Sequence, residues 1–269
     1  MSNKQIEFLN SKAKELRLNI FNKFLQVKQG HPGSIFSILD ATVALFYGGI
    51  IRSDNKKLID KFVMSKGHAT SVVYPIYAEL GYLNKEEWDN WGKDKSNLRV
   101  FGNTSISGIE VTTGSLGIGL GVAAGLALSN LRDGIDENIY VVVSEGEFYE
   151  GSVWETLLFI NHYKLYNLKL ILDINNLIIL GKTSDCLDLG NLPSKIEQFG
   201  FETMLINGHS MVDLMDSLTK MKESKKLQCL CLNTIKGKGI SFMENDPKWH
   251  YWNPVSESQI TLARKELSD

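Results

Sequence analysis

The chain has 269 residues, 43% of them hydrophobic, and a formal net charge of −2. That length holds one large domain or two small ones, with enough apolar content for a sizeable core. Near-neutral charge with scattered basic residues argues against a nucleic-acid partner. The cluster Lys222, Lys225 and Lys226 reads as solvated surface. The three cysteines are Cys186, Cys229 and Cys231, and no C-x-x-C pair is present. Cys229 and Cys231 alternate in an apolar run, which suits buried thiols in a reducing compartment better than a disulfide framework. The first residues carry no apolar signal core. No run approaches the roughly 20 apolar residues of a membrane span. A soluble, cytoplasmic protein with no membrane or nucleic-acid partner is expected.

In chain order, Ile6, Leu9, Leu16, Ile20, Phe24 and Leu25 recur at helical spacing and predict an amphipathic helix over 6–28. Gly30-His31-Pro32-Gly33 stops it. A second helix is expected over 35–47, with Ser34 as its N-cap. A short strand over 61–64 leads through Ser65-Lys66-Gly67-His68 into a helix over 69–80. A short polar helix follows at 85–92. Residues 95–108 have no period, and a loop of that length in a compact domain is often functional. Val111-Thr112-Thr113-Gly114-Ser115 leads into a helix from 116 to about 131. Strands at 139–143, 168–174, 201–206 and 227–233 then alternate with helices at 151–164, 193–199 and 210–222. That alternation means the α/β class: a mostly parallel sheet with helices on both faces. The near-continuous apolar runs Val141-Val142-Val143 and Leu170-Ile171-Leu172 agree. The tail, 236–269, reads as irregular and ends in a short helix. No linker divides the chain, so 1–269 is read as a single domain.

Ligands of open α/β sheets sit at the carboxyl ends of strands. Three turns there carry unusual chemistry: Gly67-His68, Glu145-Gly146 and Asn175-Asn176. Glu145 alone would read as a solvated acid or a helix-start charge. Paired with Asn175 at a second strand end, and with a backbone carbonyl, it makes a hard oxygen set suited to Mg²⁺ or Ca²⁺. Gly146 would let backbone N–H groups approach an anion closely. A helix starting near Gly151 would aim its N-terminus at the same place. Gly119-Leu120-Gly121-Val122-Ala123-Ala124 fits G-x-G-x-x-A, but no strand precedes it as a dinucleotide site requires. Close packing of Gly117, Gly121, Ala124 and Gly125 on one helical face is the favoured reading. His31 and His68 lie in glycine-flanked turns, which serve ligand and solvent alike. His162 and His209 read as structural, with His209 in a turn that Ser210 caps. His250 lies in Trp249-His250-Tyr251-Trp252, an aromatic wall for a ligand or a partner.

Five segments together carry a resemblance. They are Gly30-His31-Pro32-Gly33, the run from Phe62 through Ser65-Lys66-Gly67-His68 to Ala69, the run from Gly108 through Thr113-Gly114-Ser115-Leu116 to Gly117, the run from Glu150 through Gly151 to Glu155, and the run from Asn161 to Leu168. Running in family order over much of the chain, they make it similar to the N-terminal, diphosphate-binding domain of transketolases, which use thiamine diphosphate. The resemblance implies the thiamine diphosphate-binding fold. It implies a cofactor cradle of His68, Gly114, Ser115, Leu116, Gly146, Glu147 and Asn175. It implies a Mg²⁺ or Ca²⁺ site of Glu145, Asn175 and the Leu177 carbonyl. Catalytic roles fall to His31, His68 and His250, and Glu150 resembles the acid that links paired active sites across a dimer.

Three departures from the family pattern stand out. Ser144-Glu145-Gly146 replaces Gly-Asp-Gly, Phe101 replaces a histidine that meets the donor sugar, and Ile118 replaces the glutamine of Gly-Gln-Gly. The last two are expected to strip polar groups from around the substrate. The chain stops where the family's pyrimidine-binding domain begins. The resemblance therefore implies one half of a split enzyme. Its partner would be a C-terminal subunit, and two such pairs would form a heterotetramer. The implied reaction moves a two-carbon ketol unit from a ketose or ketose phosphate to an aldehyde. A transferase acting on a modified or nucleotide-linked sugar, and a non-catalytic scaffold subunit, are the alternatives.

Overall fold

The apolar runs form the strands of one parallel sheet in the computed structural model, which describes residues 1–268. Helices α1 (Asn3–Val27) and α2 (Pro32–Tyr47) precede strand β1 (Lys61–Met64). Then come α3 (Val73–Leu80), α4 (Ile118–Asp133), β2 (Ile139–Ser144), α5 (Gly151–Tyr163) and β3 (Leu168–Ile174). The chain continues with α6 (Leu192–Gln198), β4 (Glu202–Asn207), α7 (Met211–Glu223), β5 (Gln228–Asn233) and α8 (Glu257–Ser268). The strand order is β1-β2-β3-β5-β4, and every neighbouring pair is parallel. Short helical turns at Lys85–Asp89 and Thr183–Cys186 sit in the connections.

Alternate strand residues feed two cores, one on each face of the sheet. Tyr140, Val142, Ile171, Leu230 and Leu232 pack with α1, α2 and α7. Val141, Val143, Leu170, Leu172, Cys229 and Cys231 pack with α4, α5 and α6. Burial on both faces explains why these strands read as unbroken apolar runs rather than as alternating ones. Cys229 and Cys231 are buried free thiols on the same face, as their spacing predicts, and Cys186 is free and exposed. No helix among the described residues is long and apolar enough to cross a membrane.

Some expectations shift. Helix α2 begins at Pro32, so His31 rather than Ser34 occupies the N-cap. Proline suits the first helical position because its fixed φ is helical and the N–H it lacks would be unpaired there anyway. The segment expected as one helix from residue 69 starts as a 3₁₀ turn, Gly67–Val72, which places His68 inside a helical turn. The tail is more ordered than its composition suggests. A 3₁₀ turn, Pro247–His250, precedes α8, which buries Ala263 and Leu267 and packs on α1. Asp269, the last residue of that tail, lies outside the described residues. The close-packing face of α4 is also different. A Cβ on Gly119 would come within 2.6 Å of Ser65 Oγ, whereas one on Gly121 would meet only Thr156 at 3.5 Å and one on Gly125 nothing. Gly121 and Gly125 face outward, and the buried face carries Gly119, Ala123, Ala124 and Ala127.

One ion pair ties the carboxyl end of the sheet together. Lys66, just after β1, pairs with Asp173 near the end of β3, and both are buried. Lys66 Nζ also donates to the Ser34 carbonyl at 3.1 Å. Asp173 accepts from Ser37 on α2 at 2.7 Å and from Thr234 after β5. Burial pushes the Asp173 carboxyl up, but the Lys66 ammonium and these hydrogen bonds outweigh it and hold it below its ordinary value. Removing one member of a buried pair leaves an uncompensated charge. Asp173→Ala is expected to cost about 3–5 kcal/mol in urea unfolding. The double change Lys66→Met with Asp173→Leu, which removes both charges, is expected to cost clearly less.

Candidate active site

Parallel strands bring their carboxyl ends to one edge, so the turns after β1, β2, β3 and β5 meet there. Between them lies a cleft of about 370 Å³. His31 and Ser34 at the start of α2, His68 after β1, Gly146 after β2, Asn175 after β3 and Lys236 after β5 all line it. Phe101, Gly114 and Leu116 from the long connection before α4 close one side, and His250 and Tyr251 close another.

Glycines set the shape of this edge. A Cβ on Gly67 would come within 2.6 Å of Gly114 N, so the turn after β1 and the loop before α4 meet backbone to backbone. Gly114 has φ 151, a region L side chains rarely adopt, and a Cβ there would press on the Phe101 ring at 3.1 Å. Gly146 is different. A Cβ on it would meet Ile178 at 3.5 Å and Ser144 Oγ at 3.9 Å, both ordinary contacts, so the protein's own packing does not demand glycine. What its bare backbone leaves clear is the cleft.

Three imidazoles meet inside. The ring centroids of His31, His68 and His250 are 5.2, 5.3 and 5.5 Å apart. Burial, aided by the Lys236 and Lys66 charges, pushes His31 down to about 4 and His250 down to about 3. Burial and the Lys66 charge also hold His68 well below its ordinary value. All three rings are therefore neutral near pH 7. His31 Nδ1 is buried without a hydrogen-bond partner in the protein. Lys236 Nζ sits 3.1 Å from His250 Nδ1, and burial with the nearby Lys66 charge lowers its pKa to about 8.

On the other side, Glu145 Oε1 accepts the N–H groups of Leu177 at 3.0 Å and Asn175 at 3.3 Å. Asn175 Oδ1 accepts the same Leu177 N–H at 3.2 Å. Two hard oxygens thus converge on one point. Lys236 Nζ lies 3.3 Å from the Leu177 carbonyl. Burial, together with the Asp173 charge, pushes Glu145 up to about 7. A carboxylate that is costly to ionise is the environment a divalent cation relieves. Among the described residues, no three His, Cys, Asp or Glu side chains converge as a metal cage. The carboxylate and the amide oxygen, with the Leu177 carbonyl in the same turn, are oxygen donors of the kind Mg²⁺ or Ca²⁺ accepts.

Of the residues singled out in the sequence, His31, His68, His250, Glu150, Gly114, Leu116, Gly146, Glu145, Asn175 and Leu177 all line this cleft. Ser115 and Glu147 do not. Ser115 is exposed beside the cleft wall. Glu147 is fully buried, and its carboxylate accepts from Ser65, from Gly117 N at 3.2 Å and from Ser144 N at 2.9 Å. It braces the turn rather than facing a ligand. Ile118 is 50% exposed at the first turn of α4 and lies outside the cleft wall, so of the two apolar replacements only Phe101 borders the cleft. Lys66, named in the sequence only as part of its turn, and Lys236 were given no role there. Lys236-Gly237-Lys238-Gly239 follows a strand and is glycine-flanked, the same signal that exposed the other turns.

Comparison with known proteins agrees with this arrangement. Residues 9–268 match the family described as transketolase, thiamine diphosphate binding domain. The chain is 34% identical over 272 residues to a subunit of the apulose-4-phosphate transketolase from Phocaeicola vulgatus, covering 98% of this chain and 95% of that protein. It is 36% identical to the subunit of the same name from Actinobacillus succinogenes, covering 89% and 88%. Human transketolase is 32% identical over 250 residues, with 91% of this chain but only 40% of that protein covered. The crystal structure of Campylobacter jejuni transketolase superposes with a TM-score of 0.88 at 27% identity, over 100% of this chain and 43% of that one. The chain thus spans less than half the length of the full-length transketolases it matches.

The raised Glu145 pKa has a definite sign. A carboxyl whose folded value lies above its unfolded value favours the fold while protonated. Its contribution is fully present below the ordinary value of 4.5 and is lost as pH rises through about 7. In metal-free protein, wild type is expected to lose melting temperature relative to Glu145→Gln across that window. Differential scanning calorimetry of the two proteins from pH 4.5 to 7.5 measures it.

Proposed function

The chain belongs to the transketolase family, and from that membership we propose that it is the cofactor-holding subunit of a two-component ketol transferase. In this reading the chain is a single diphosphate-binding domain. The observation that carries the proposal is the cleft itself, where three neutral imidazoles face a carboxylate–amide oxygen pair across the strand ends. Thiamine diphosphate, when bound, supplies the nucleophilic carbon and the electron sink for a two-carbon fragment.

The chain's own residues bind and orient. His68 and the N–H groups around Gly146 hold the diphosphate. Glu145, Asn175 and the Leu177 carbonyl hold Mg²⁺ or Ca²⁺. Gly114 and Leu116 flank the cofactor's rings, with Ser115 on the adjoining backbone and Glu147 bracing the turn. Lys66 and Lys236 add buried positive charge suited to an anion. His31, His68 and His250 accept protons from the substrate's hydroxyls and return them, a task open only to neutral rings. Glu150, at the exposed rim where α5 begins, communicates with the second site of the assembly.

The assembly is a pair with a C-terminal, pyrimidine-binding subunit, doubled to a heterotetramer in the cytoplasm. Two relatives that the chain covers almost end to end are themselves named as single subunits of a transketolase, which supports a separate partner chain. So does the apolar face that α4 and α5 turn outward, with Val122, Leu158 and Phe159 exposed beside the bare Gly121 and Gly125. Calorimetry of the assembled pair with Mg²⁺ is expected to show thiamine diphosphate binding, and His68→Ala is expected to weaken it roughly ten- to hundredfold, as loss of a hydrogen bond to a charged group does. If the wild-type pair binds no thiamine diphosphate, the scaffold reading replaces this one.

A ketose phosphate donor is the first reading of the substrate, because those two relatives are named for apulose-4-phosphate. Phe101 favours a second, a modified or nucleotide-linked sugar. Its ring stands edge-on to His31 at 5.6 Å and gives the substrate space an apolar wall. A site that lacks a hydrogen-bonding group does not reward a hydroxyl there. Phe101→His is therefore expected to shift kcat/KM toward unbranched ketose phosphates by roughly tenfold or more. Steady-state kinetics on a panel of sugar phosphates and nucleotide sugars measures it.

A further inference from the structure

His209 read as a turn residue in the sequence, and it lies outside the cleft. Its two ring nitrogens nevertheless join the cleft to the helical layer behind it. Nε2 accepts the backbone N–H of Ile235 at 2.8 Å. A nitrogen that accepts carries no proton, so the ring proton is on Nδ1. Nδ1 lies 2.7 Å from Asp40 Oδ2 on α2, and the same oxygen accepts from Arg17 on α1 at 2.9 Å. Burial raises the Asp40 carboxyl, but Arg17 and His209 together hold it below its ordinary value, so it remains an acceptor.

The place of that bond in the chain gives it consequence. Strand β5 ends at Asn233, and its neighbour β4 turns away at Gly208. The backbone after β5 therefore has lost one side of its ladder. Thr234 N still reaches the Ile174 carbonyl at 2.9 Å, and Gly237 N reaches the Gly33 carbonyl at 2.9 Å. Between them, Ile235 N–H has the His209 ring in place of a strand. The next residue is Lys236, whose amine stands between the Leu177 carbonyl and His250. We propose that His209 is a positioning residue, fixing the backbone at Ile235 through the Arg17–Asp40–His209 chain so that Lys236 points into the cleft. The inference rests on the cofactor-binding reading for its consequence, a well-placed amine beside a bound anion.

Two measurements test it. Long-range ¹H–¹⁵N correlation spectra of the wild-type imidazole are expected to show the Nδ1-protonated neutral form. A ring protonated on Nε2 near neutral pH overturns the proposal, whether or not any cofactor binds. Calorimetry of the assembled pair with Mg²⁺ and thiamine diphosphate then compares variants at matched folded fraction. His209→Leu is expected to weaken cofactor binding roughly tenfold or more, as loss of an orienting partner does. His209→Gln, whose amide both donates and accepts, is expected to stay close to wild type. Should His209→Leu fail to fold, His209→Asn keeps the Asp40 contact but is too short to reach Ile235, and serves the same comparison. Wild-type affinity in a folded Leu or Asn variant, with only the melting temperature lowered, makes His209 structural and overturns the proposal. A wild-type pair that binds no thiamine diphosphate counts against the functional reading instead, and the ring tautomer still decides this one.

Discussion

The pairing of Lys66 with Asp173 is the constraint around which the functional edge is built. The two residues follow or end different strands, and their partners come from α2 and from the segment after β5. An ammonium and a carboxylate with almost no solvent contact are expensive to bury apart and tolerable together only when their remaining valences are filled. Ser34, Ser37 and Thr234 fill them. The pair is then satisfied only when β1, β3, β5 and α2 stand in one relation. That same relation places His31, His68, Asn175 and Lys236 around one space. Packing alone would bring the strands together, but it would leave their ends less tightly specified, because apolar contacts tolerate sliding more readily than a filled hydrogen-bond network does.

The electrostatics of that space are unbalanced in a consistent way. Glu145 is raised, chiefly by burial with Asp173 adding to it, whereas His31, His250 and Lys236 are lowered, chiefly by burial with lysine charges adding to it. The acid is held where ionising is costly, and the bases are held where protonation is costly. In the proposed reading, Glu145 and Asn175 would hold the divalent ion and His68 and Lys236 would lie toward the diphosphate, which answers both sides at once. A single anion would relieve the lysines and worsen Glu145. A single metal ion would do the reverse. The pattern of shifts is what the proposed metal and diphosphate would both relieve.

Much of this was legible in the sequence, for identifiable reasons. Strands buried on both faces announce themselves as apolar runs, and β2 and β3 fall within a residue of where Val141-Val142-Val143 and Leu170-Ile171-Leu172 place them. The chemistry at their ends, Glu145 and Asn175, follows because parallel strands must end together. The orientation of side chains within turns and helix starts was not legible. Glu147 and Glu145 are two residues apart in one 3₁₀ turn, yet one braces Ser65 and Gly117 while the other faces the cleft. Ile118 begins a helix whose direction depends on Gly119 lying against Ser65, a contact between distant segments. His209 is the turn residue the sequence suggests, with Ser210 capping the next helix, but its ring contacts and the place of Lys236 were not legible for a related reason. Lys236 carries the local signal of a glycine-flanked turn after a strand, but the bond from the His209 ring to the Ile235 N–H beside it is encoded by no local pattern.

The cleft and the outward face of α4 and α5 belong to one surface. Leu116 lines the cleft, and Ile118 and Val122 continue from it along α4 as exposed apolar residues. Glu150 stands at the cleft rim where α5 begins, and Leu158 and Phe159 lie further along that helix. Around the mouth, Phe101, Tyr251 and Ile179 are also substantially exposed. Exposed large apolar residues grouped on two neighbouring helices are costly to leave in water and suit a site of association. Its continuity with the cleft has a further consequence. A partner chain that covers this face also closes the open side of the cleft, and removing water there strengthens every charge interaction within. In the proposed reading, where the partner completes the wall beside the cofactor, the two binding steps would be thermodynamically linked, each favouring the other by the same factor.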